Sequence, residues 1–128
     1  MPLTSGSFYE RVGGQGWFTA LVECFYAGVE SDPVLRPLYP ADLSGPKQHL
    51  AAFLAQRWGG PENYTATRGH PRLRMRHQPF SIGTAEHDAW LRHMDNAVRR
   101  AGLDQQAETQ LLAFFATAAD MLVNRRDG

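Results

Sequence analysis

The sequence predicts an all-α protein, and two features of its pattern support that class. Apolar residues recur at three- and four-residue spacing in several segments, as they do along one face of a helix. No segment shows the strand alternation and tight turns that indicate a β-hairpin or a βαβ unit. Hydrophobic residues make up 43% of the 128 residues and charged residues 20%, which are ordinary values for a folded globular chain. We therefore expect one helical domain over residues 1–128, long enough to bury a core.

Two helices are predicted near the N-terminus. Ser7 and Glu10 have the spacing of a capping box, so a short helix should cover residues 8–12 and end at a pair of glycines. The apolar stripe of the next helix runs to Val29 and includes Tyr26. A phenol buried on that stripe would need a hydrogen-bond partner.

Polar caps and prolines mark the middle of the chain. Asp32 can cap a brief helix that leads to Tyr39. Ser44 can cap the next helix, which tolerates Pro46 in its first turn. Residues 61–70 have little periodicity and several turn-forming residues, so we expect a long loop there.

Two long helices are predicted in the C-terminal part. Thr84 can cap the first of them, which Gly102 closes, and Asp104 can cap the second. The second helix has apolar residues over several adjacent faces, which predicts broad burial. These residues are Leu111, Leu112, Phe114, Phe115, Ala118, Ala119 and Leu122.

The most unusual stretch is residues 68–80, which holds four arginines, two histidines and two prolines. Pro71 and Pro79 leave room for only a two-turn helix between them, and His77 closes it. An inward imidazole ringed by guanidinium groups suggests a metal ligand beside a negatively charged cofactor edge. The alternative is a solvated basic loop with one satisfied histidine.

Composition and motifs argue against several classes of function. Thirteen basic residues balance thirteen acidic ones, which weakens any wholesale attraction to nucleic acid or to a membrane. Phosphate loops, dinucleotide motifs, zinc-ligand spacings and nucleophile elbows are absent from the sequence. Cys24 is the single cysteine and is expected to be a buried small apolar residue. Because we see no signal peptide and no apolar run that could span a membrane, we expect a cytoplasmic protein.

Several short motifs are distributed along nearly the whole chain. They are Ser7-Phe8-Tyr9, Val12-Gly13-Gly14, Phe25-Tyr26, Asp32-Pro33-Val34-Leu35, Leu38-Tyr39-Pro40, Trp58-Gly59-Gly60-Pro61, the run from Arg68 to His77, Asp88-Ala89-Trp90-Leu91 and Val123-Asn124. Together they resemble the group II truncated haemoglobins. The resemblance implies a truncated globin fold, a two-over-two helical sandwich that encloses haem b, which is iron protoporphyrin IX.

The resemblance also implies roles for individual residues. His77 would be the proximal ligand of the haem iron. The donors of hydrogen bonds to a diatomic ligand on the distal side would be Tyr26, Tyr39 and Trp90. Apolar contacts to the porphyrin, for which core packing is the alternative in each case, would come from Leu50, Phe53, Leu54, Met75 and Phe80. The candidate propionate partners, with the first ranked highest, would be Arg76, Arg74 and His49.

One position departs from the family pattern. The small distal residue that begins the family's ligand-side helix is Pro46 here. Proline cannot donate a hydrogen bond to a ligand from its side chain or its backbone. Pro46 could open a side entrance or simply start the helix, and distal donation then falls to the two tyrosines and Trp90.

The resemblance implies a protein that binds dioxygen and other diatomic ligands, for transport or storage, and releases oxygen slowly. The alternative is redox activity at the haem, either peroxidase-like or nitric oxide dioxygenase-like, with an unidentified reductase. A weaker alternative is a non-haem module that binds nucleic acid through the basic stretch with Tyr64 and Phe80. We expect no nucleic-acid partner, no membrane span, and a monomer or homodimer. The roles of Arg68 and Arg72 stay open.

Overall fold

A computed structural model of the chain describes residues 7–69, 77, 80 and 82–124. Every regular element in those ranges is helical, which confirms the predicted all-α class. The elements are α1 (Phe8–Val12), α2 (Gln15–Glu30), a 3-10 helix (Arg36–Leu38), α3 (Ser44–Arg57), α4 (Asn63–Arg68), α5 (Thr84–Arg100) and α6 (Gln105–Leu122). None of these helices is long and apolar enough to cross a membrane.

The contacts within the chain divide it into two compact units. The first comprises residues 1–23 and 42–71, and the second comprises residues 24–41 and 72–128. The boundary at residues 23 and 24 falls inside α2, so this helix contributes to both units. A single domain over residues 1–128 stays a prediction.

In the first unit, α1 packs on the end of α3 through a glycine corner. The predicted capping box at the start of α1 is present, and the backbone N–H of Tyr9 donates to the carbonyl of Trp58 at 2.9 Å. A Cβ at Gly59 would lie 2.5 Å from the Cβ of Ser7, and one at Gly60 would lie 2.6 Å from the ring of Tyr9. The corner therefore requires residues without a side chain.

The predicted cap of α3 is off by one residue. Ser44 is the first residue of the helix, Leu43 is its N-cap, and Leu43 makes no side-chain capping bond. Instead, the side chain of Asp42 accepts hydrogen bonds from the N–H of Ser44 at 2.9 Å and from its hydroxyl at 2.6 Å. Pro46 lies in the first turn, where a helix does not need its missing N–H, so its place in the fold is that of a helix-start residue.

The predicted loop over residues 61–70 is wrong for most of its length, because Asn63–Arg68 form α4. Tertiary contacts with α3 stabilise this short helix. The side-chain amide of Gln56 donates to the hydroxyl of Thr65 at 2.7 Å and accepts from its N–H at 2.9 Å. The buried ring of Tyr64 packs edge-on to Phe53 with 5.6 Å between ring centroids. These contacts outweigh the weak helical signal of the sequence.

In the second unit, α5 packs against α6. Gly83 rather than Thr84 is the N-cap of α5, and its N–H donates to Glu86 at 2.8 Å. The predicted cap of α6 is confirmed, since Asp104 accepts a hydrogen bond from the N–H of Ala107 at 2.8 Å. The expected broad burial of α6 is wrong. Only one stripe with a spacing of four residues is fully buried: Leu111, Phe115 and Ala119.

The expected burial of Cys24 is only partly met, because its side chain is partly exposed. Predictions for Pro71, Arg72, Arg74, Met75, Arg76 and Pro79 lie outside the described residues.

Candidate functional site

The second unit brings Tyr26, Tyr39 and Trp90 together from three elements. Tyr26 comes from the second half of α2, Tyr39 follows the 3-10 helix, and Trp90 lies in the second turn of α5. The rings of Tyr26 and Tyr39 are nearly perpendicular, with 5.4 Å between centroids. The ring of Trp90 lies 5.3 Å from that of Phe25, the neighbour of Tyr26. Tyr26 is buried, with 4% of its surface exposed.

Hydrogen bonds connect the three side chains and converge on the hydroxyl of Tyr39. The Trp90 indole nitrogen can only donate, so its bond with Tyr39 runs from Trp90 to the phenol oxygen. The bond between the two phenols uses one of their two hydroxyl hydrogens, because each hydroxyl has a single hydrogen. The pair of phenols therefore keeps one hydroxyl hydrogen that can donate elsewhere.

Burial keeps both phenols in their neutral form. It is the largest influence on each and raises the pKa of Tyr26 and the net pKa of Tyr39 above their ordinary values. Both hydroxyl hydrogens are consequently present at neutral pH and at moderately alkaline pH. The cluster can donate a hydrogen bond to a small ligand, and it carries no negative charge of its own.

A buried carboxylate anchors the turn that leads to Tyr39. Asp32 is 7% exposed and accepts hydrogen bonds from the N–H groups of Val34 at 2.7 Å and Leu35 at 3.3 Å. Its other oxygen is 2.6 Å from His93 Nε2 and 3.2 Å from Arg92 Nη2. The bond with His93 is the main reason that the pKa of Asp32 is held below its usual value. The sequence predicted that Asp32 caps a brief helix, but the 3-10 helix begins at Arg36 with Leu35 as its N-cap, so Asp32 instead holds the turn before it. The partners of Asp32 on α5 were not predicted.

The described part of the predicted iron-ligand segment is His77 and Phe80. His77 has helical backbone and a partly exposed side chain, and its ring centroid is 6.5 Å from that of Phe80. Phe80 is 42% exposed, which is unusual for so large an apolar ring. A partly exposed imidazole beside an exposed apolar ring is chemically compatible with contact to a haem.

Asn124, which follows α6, fixes the backbone after His77. Its side-chain nitrogen donates to the carbonyl of Phe80 at 2.8 Å and to that of His77 at 3.4 Å. Its side-chain oxygen accepts from the N–H of Ile82 at 2.8 Å. From the sequence, Asn124 is recognisable only as part of a motif, because no local signal shows which distant backbone groups an amide will meet.

The predicted cofactor contacts on α3 belong to the first unit. Leu50 and Phe53 are partly exposed, and His49 is exposed. Leu54 is only 1% exposed, so protein atoms already cover it and core packing is the better account of its role. Of the remaining predicted contacts, Arg74, Met75 and Arg76 lie outside the described residues.

Comparisons with known proteins identify the family of the chain. Residues 7–124 match the family model described as Bacterial-like globin. Group 2 truncated hemoglobin YjbI of Bacillus subtilis (strain 168) is 38% identical over 119 residues, which are 93% of this chain and 89% of that protein.

Solved structures extend the similarity to the fold. A hemoglobin from the thermophilic phototrophic bacterium Chloroflexus aurantiacus is 49% identical, with a TM-score of 0.92 over 94% of this chain and 100% of the other. A truncated haemoglobin from Bacillus subtilis that is described as oxygen-avid is 38% identical, with a TM-score of 0.87 over 93% of this chain and 100% of the other. The chain therefore belongs to the bacterial-like globin family, as a group II truncated haemoglobin with the all-helical truncated globin fold.

Proposed function

We propose that this protein binds haem b through His77 and holds dioxygen on a distal side formed by Tyr26, Tyr39 and Trp90. Membership of the globin family implies ligand binding at a haem. When bound, haem would supply an iron that can bind an imidazole and a diatomic ligand. The chain supplies the imidazole of His77, the apolar ring of Phe80 and the donors that meet the ligand.

The observation that carries the proposal is the arrangement around the Tyr39 hydroxyl. Trp90 can only donate to the Tyr39 oxygen, and the two phenols share one hydrogen bond, so the pair keeps one hydroxyl hydrogen for a ligand. Bound dioxygen would carry partial negative charge, and a hydroxyl donor in a dry pocket would stabilise that charge by about 1.5–3 kcal/mol. This corresponds to oxygen release that is slower by about tenfold or more.

Two further points support oxygen as the ligand and a slow release. The similar haemoglobin from Bacillus subtilis is described as oxygen-avid. Both phenols of the cluster also have a raised pKa and therefore stay protonated donors over a wide pH range.

The remaining contacts complete the proposed haem site. We assign apolar contact with the porphyrin to Leu50, Phe53, Met75 and Phe80. We assign the propionates first to Arg76 and then to Arg74 and His49, because guanidinium groups match carboxylates in geometry and charge.

The test begins with absorbance spectra of the ferric, ferrous and oxygenated protein, followed by stopped-flow oxygen release. Tyr39→Phe should bind haem normally and release oxygen about tenfold faster or more, because it loses only the hydroxyl. Tyr9→Phe is the matched control, since Tyr9 packs near the Gly60 corner of the first unit and should leave release unchanged.

Three results would contradict the proposal. Absence of a Soret band after haem is added would show that the protein does not bind this cofactor. It would favour the alternative in which residues 68–80 bind nucleic acid. Unchanged oxygen release in Tyr39→Phe would remove the distal assignment. Turnover of peroxide or nitric oxide well above that of free haem would replace oxygen storage with the redox alternative.

A further inference from the structure

A single side chain, Arg36, holds the backbone around Tyr39. Its Nη1 donates to the carbonyl of Tyr39 at 3.2 Å and to that of Pro40 at 2.9 Å. Its Nη2 donates to the carbonyl of Ala41 at 3.0 Å. Three consecutive carbonyls are thus satisfied by one planar guanidinium, a task that suits its several donors in fixed directions.

The backbone of Arg36 makes two further hydrogen bonds in this segment. The N–H of Arg36 donates to the carbonyl of Asp32 at 2.9 Å, and the carbonyl of Arg36 accepts from the N–H of Tyr39 at 3.2 Å. Arg36 therefore bonds both the N–H and the C=O of Tyr39. Hydrogen bonds therefore connect the segment from Asp32 to Ala41, with Arg36 at its centre.

Helix α5 contacts this segment at Tyr39 and at Asp32. The Trp90 indole bonds the hydroxyl of Tyr39, and His93 bonds the carboxylate of Asp32 at 2.6 Å. Trp90 and His93 are three residues apart and so share one side of the helix. His93 also packs closely on α2, since a Cβ at Gly28 would lie 2.3 Å from its Nδ1.

Without Arg36, the least constrained part of the segment from Asp32 to Ala41 would be the stretch from Tyr39 to Ala41. The bonds of Asp32 fix only the start of the turn, and the bonds of the hydroxyl fix only the tip of the Tyr39 side chain. Between these points, three carbonyls in a row would otherwise depend on water. A hydrogen bond to a small ligand needs its donor within about 0.5 Å of the productive position.

We propose that Arg36 is a positioning residue for oxygen binding, which fixes the backbone of Tyr39 and thereby holds the Tyr39 hydroxyl beside Tyr26 and Trp90, where a ligand would bind. This proposal rests on the proposed function, because Arg36 acts through Tyr39 and touches no ligand itself. It assigns a specific role to an arginine for which the sequence predicted none.

The first experiment measures oxygen release in Arg36→Met and Arg36→Lys. Arg36→Met removes all three side-chain bonds and should speed release about three- to tenfold. Lysine keeps the charge but has one nitrogen, so Arg36→Lys should lie between Arg36→Met and the parent. The matched controls, Arg100→Met and Arg100→Lys, change an exposed arginine at the end of α5 and should match the parent.

A double variant separates positioning from general loosening of the fold. In a Tyr39→Phe background, Arg36→Met should change oxygen release less than twofold, because the hydroxyl through which it acts is already gone. The C–O stretching frequency of the carbon monoxide complex should move in Arg36→Met in the direction seen for Tyr39→Phe. An equal acceleration in both backgrounds, or no acceleration in the single variant, overturns the proposal.

A measurement that requires no dioxygen or carbon monoxide distinguishes failure of this inference from failure of the proposed function. Solvent exchange of the Trp90 indole N–H, followed by NMR and assigned with Trp90→Phe, should quicken in Arg36→Met because its acceptor on Tyr39 is less well held. The Trp17 indole is the internal reference. Unchanged Trp90 exchange overturns the role of Arg36 even in a protein that binds haem and oxygen as proposed, whereas a protein without a Soret band overturns the proposed function instead.

Discussion

At the scale of single residues, the three proposed distal donors are unequal. Trp90 can only donate to Tyr39, and the two phenols share one hydrogen bond, so the three side chains keep a single hydroxyl hydrogen for a ligand. From the sequence, all three were expected to donate to the ligand itself. A helical stripe shows that a side chain turns inward, but it does not show which acceptor its hydrogen meets once several polar tips share one space.

This inequality yields a prediction for Trp90. Trp90→Phe should speed oxygen release by about threefold to tenfold and less than Tyr39→Phe does, because it removes a bond that supports the donor and leaves the donor in place. Stopped-flow oxygen release of the two variants side by side measures the order. Release from Trp90→Phe that is no faster than from the parent would contradict it, and the buried Phe115, which contacts the Trp90 ring, provides a control through Phe115→Leu.

At the scale of elements, local signals predicted the helices that begin with their own capping groups. The capping box of α1 and the Asp104 cap of α6 are both confirmed. The prediction was off by one residue at Ser44, because Asp42 provides the local hydrogen bonds there. It was wrong for α4, because six residues with weak periodicity depend on a glutamine and an aromatic ring from α3. Contacts between distant segments of the chain cannot be recognised from the local sequence pattern.

The link between Asp32 and α5 predicts an acid-sensitive stability. The folded pKa of Asp32 is below its unfolded value, so the carboxylate stabilises the fold above the unfolded value of about 3.9, and this contribution is lost as pH falls through the folded pKa. Asp32→Asn should lower the free energy of unfolding at pH 6 by about 1–3 kcal/mol. It should also flatten the fall in stability between about pH 5 and pH 3.

Urea unfolding at a series of pH values checks the prediction for Asp32. Asp95→Asn is the matched control, because burial raises the pKa of Asp95 and its removal should leave the acid-induced fall at least as steep. A fall of equal size and slope in Asp32→Asn and in the parent would show that the link with His93 carries no such stability.

At the scale of the whole molecule, periodicity predicted the all-α class, while the family came from motifs. Spacing alone left His77 with two alternatives, a ligand or a satisfied histidine in a basic loop. The motifs from Ser7 to Asn124 selected the globin family, and the match over residues 7–124 confirms it. The role of Arg36 escaped both, because its acceptors are backbone carbonyls that any sequence would supply.

The proposed cofactor should also contribute to the stability of the molecule. A group that binds only the folded chain stabilises it by about 2.7 kcal/mol when its concentration is a hundred times its dissociation constant. Removing haem should therefore lower the midpoint of thermal unfolding by about 5 °C or more, given the usual relation between free energy and midpoint for a domain of this size. His77→Gly should lose most of this gain and its ferrous Soret spectrum, because the iron loses its protein ligand. Added imidazole should restore the spectrum, whereas His87→Gly, which lacks a different histidine on α5, should keep it without imidazole. A His77→Gly protein that retains the parent spectrum and haem affinity would remove His77 as the ligand.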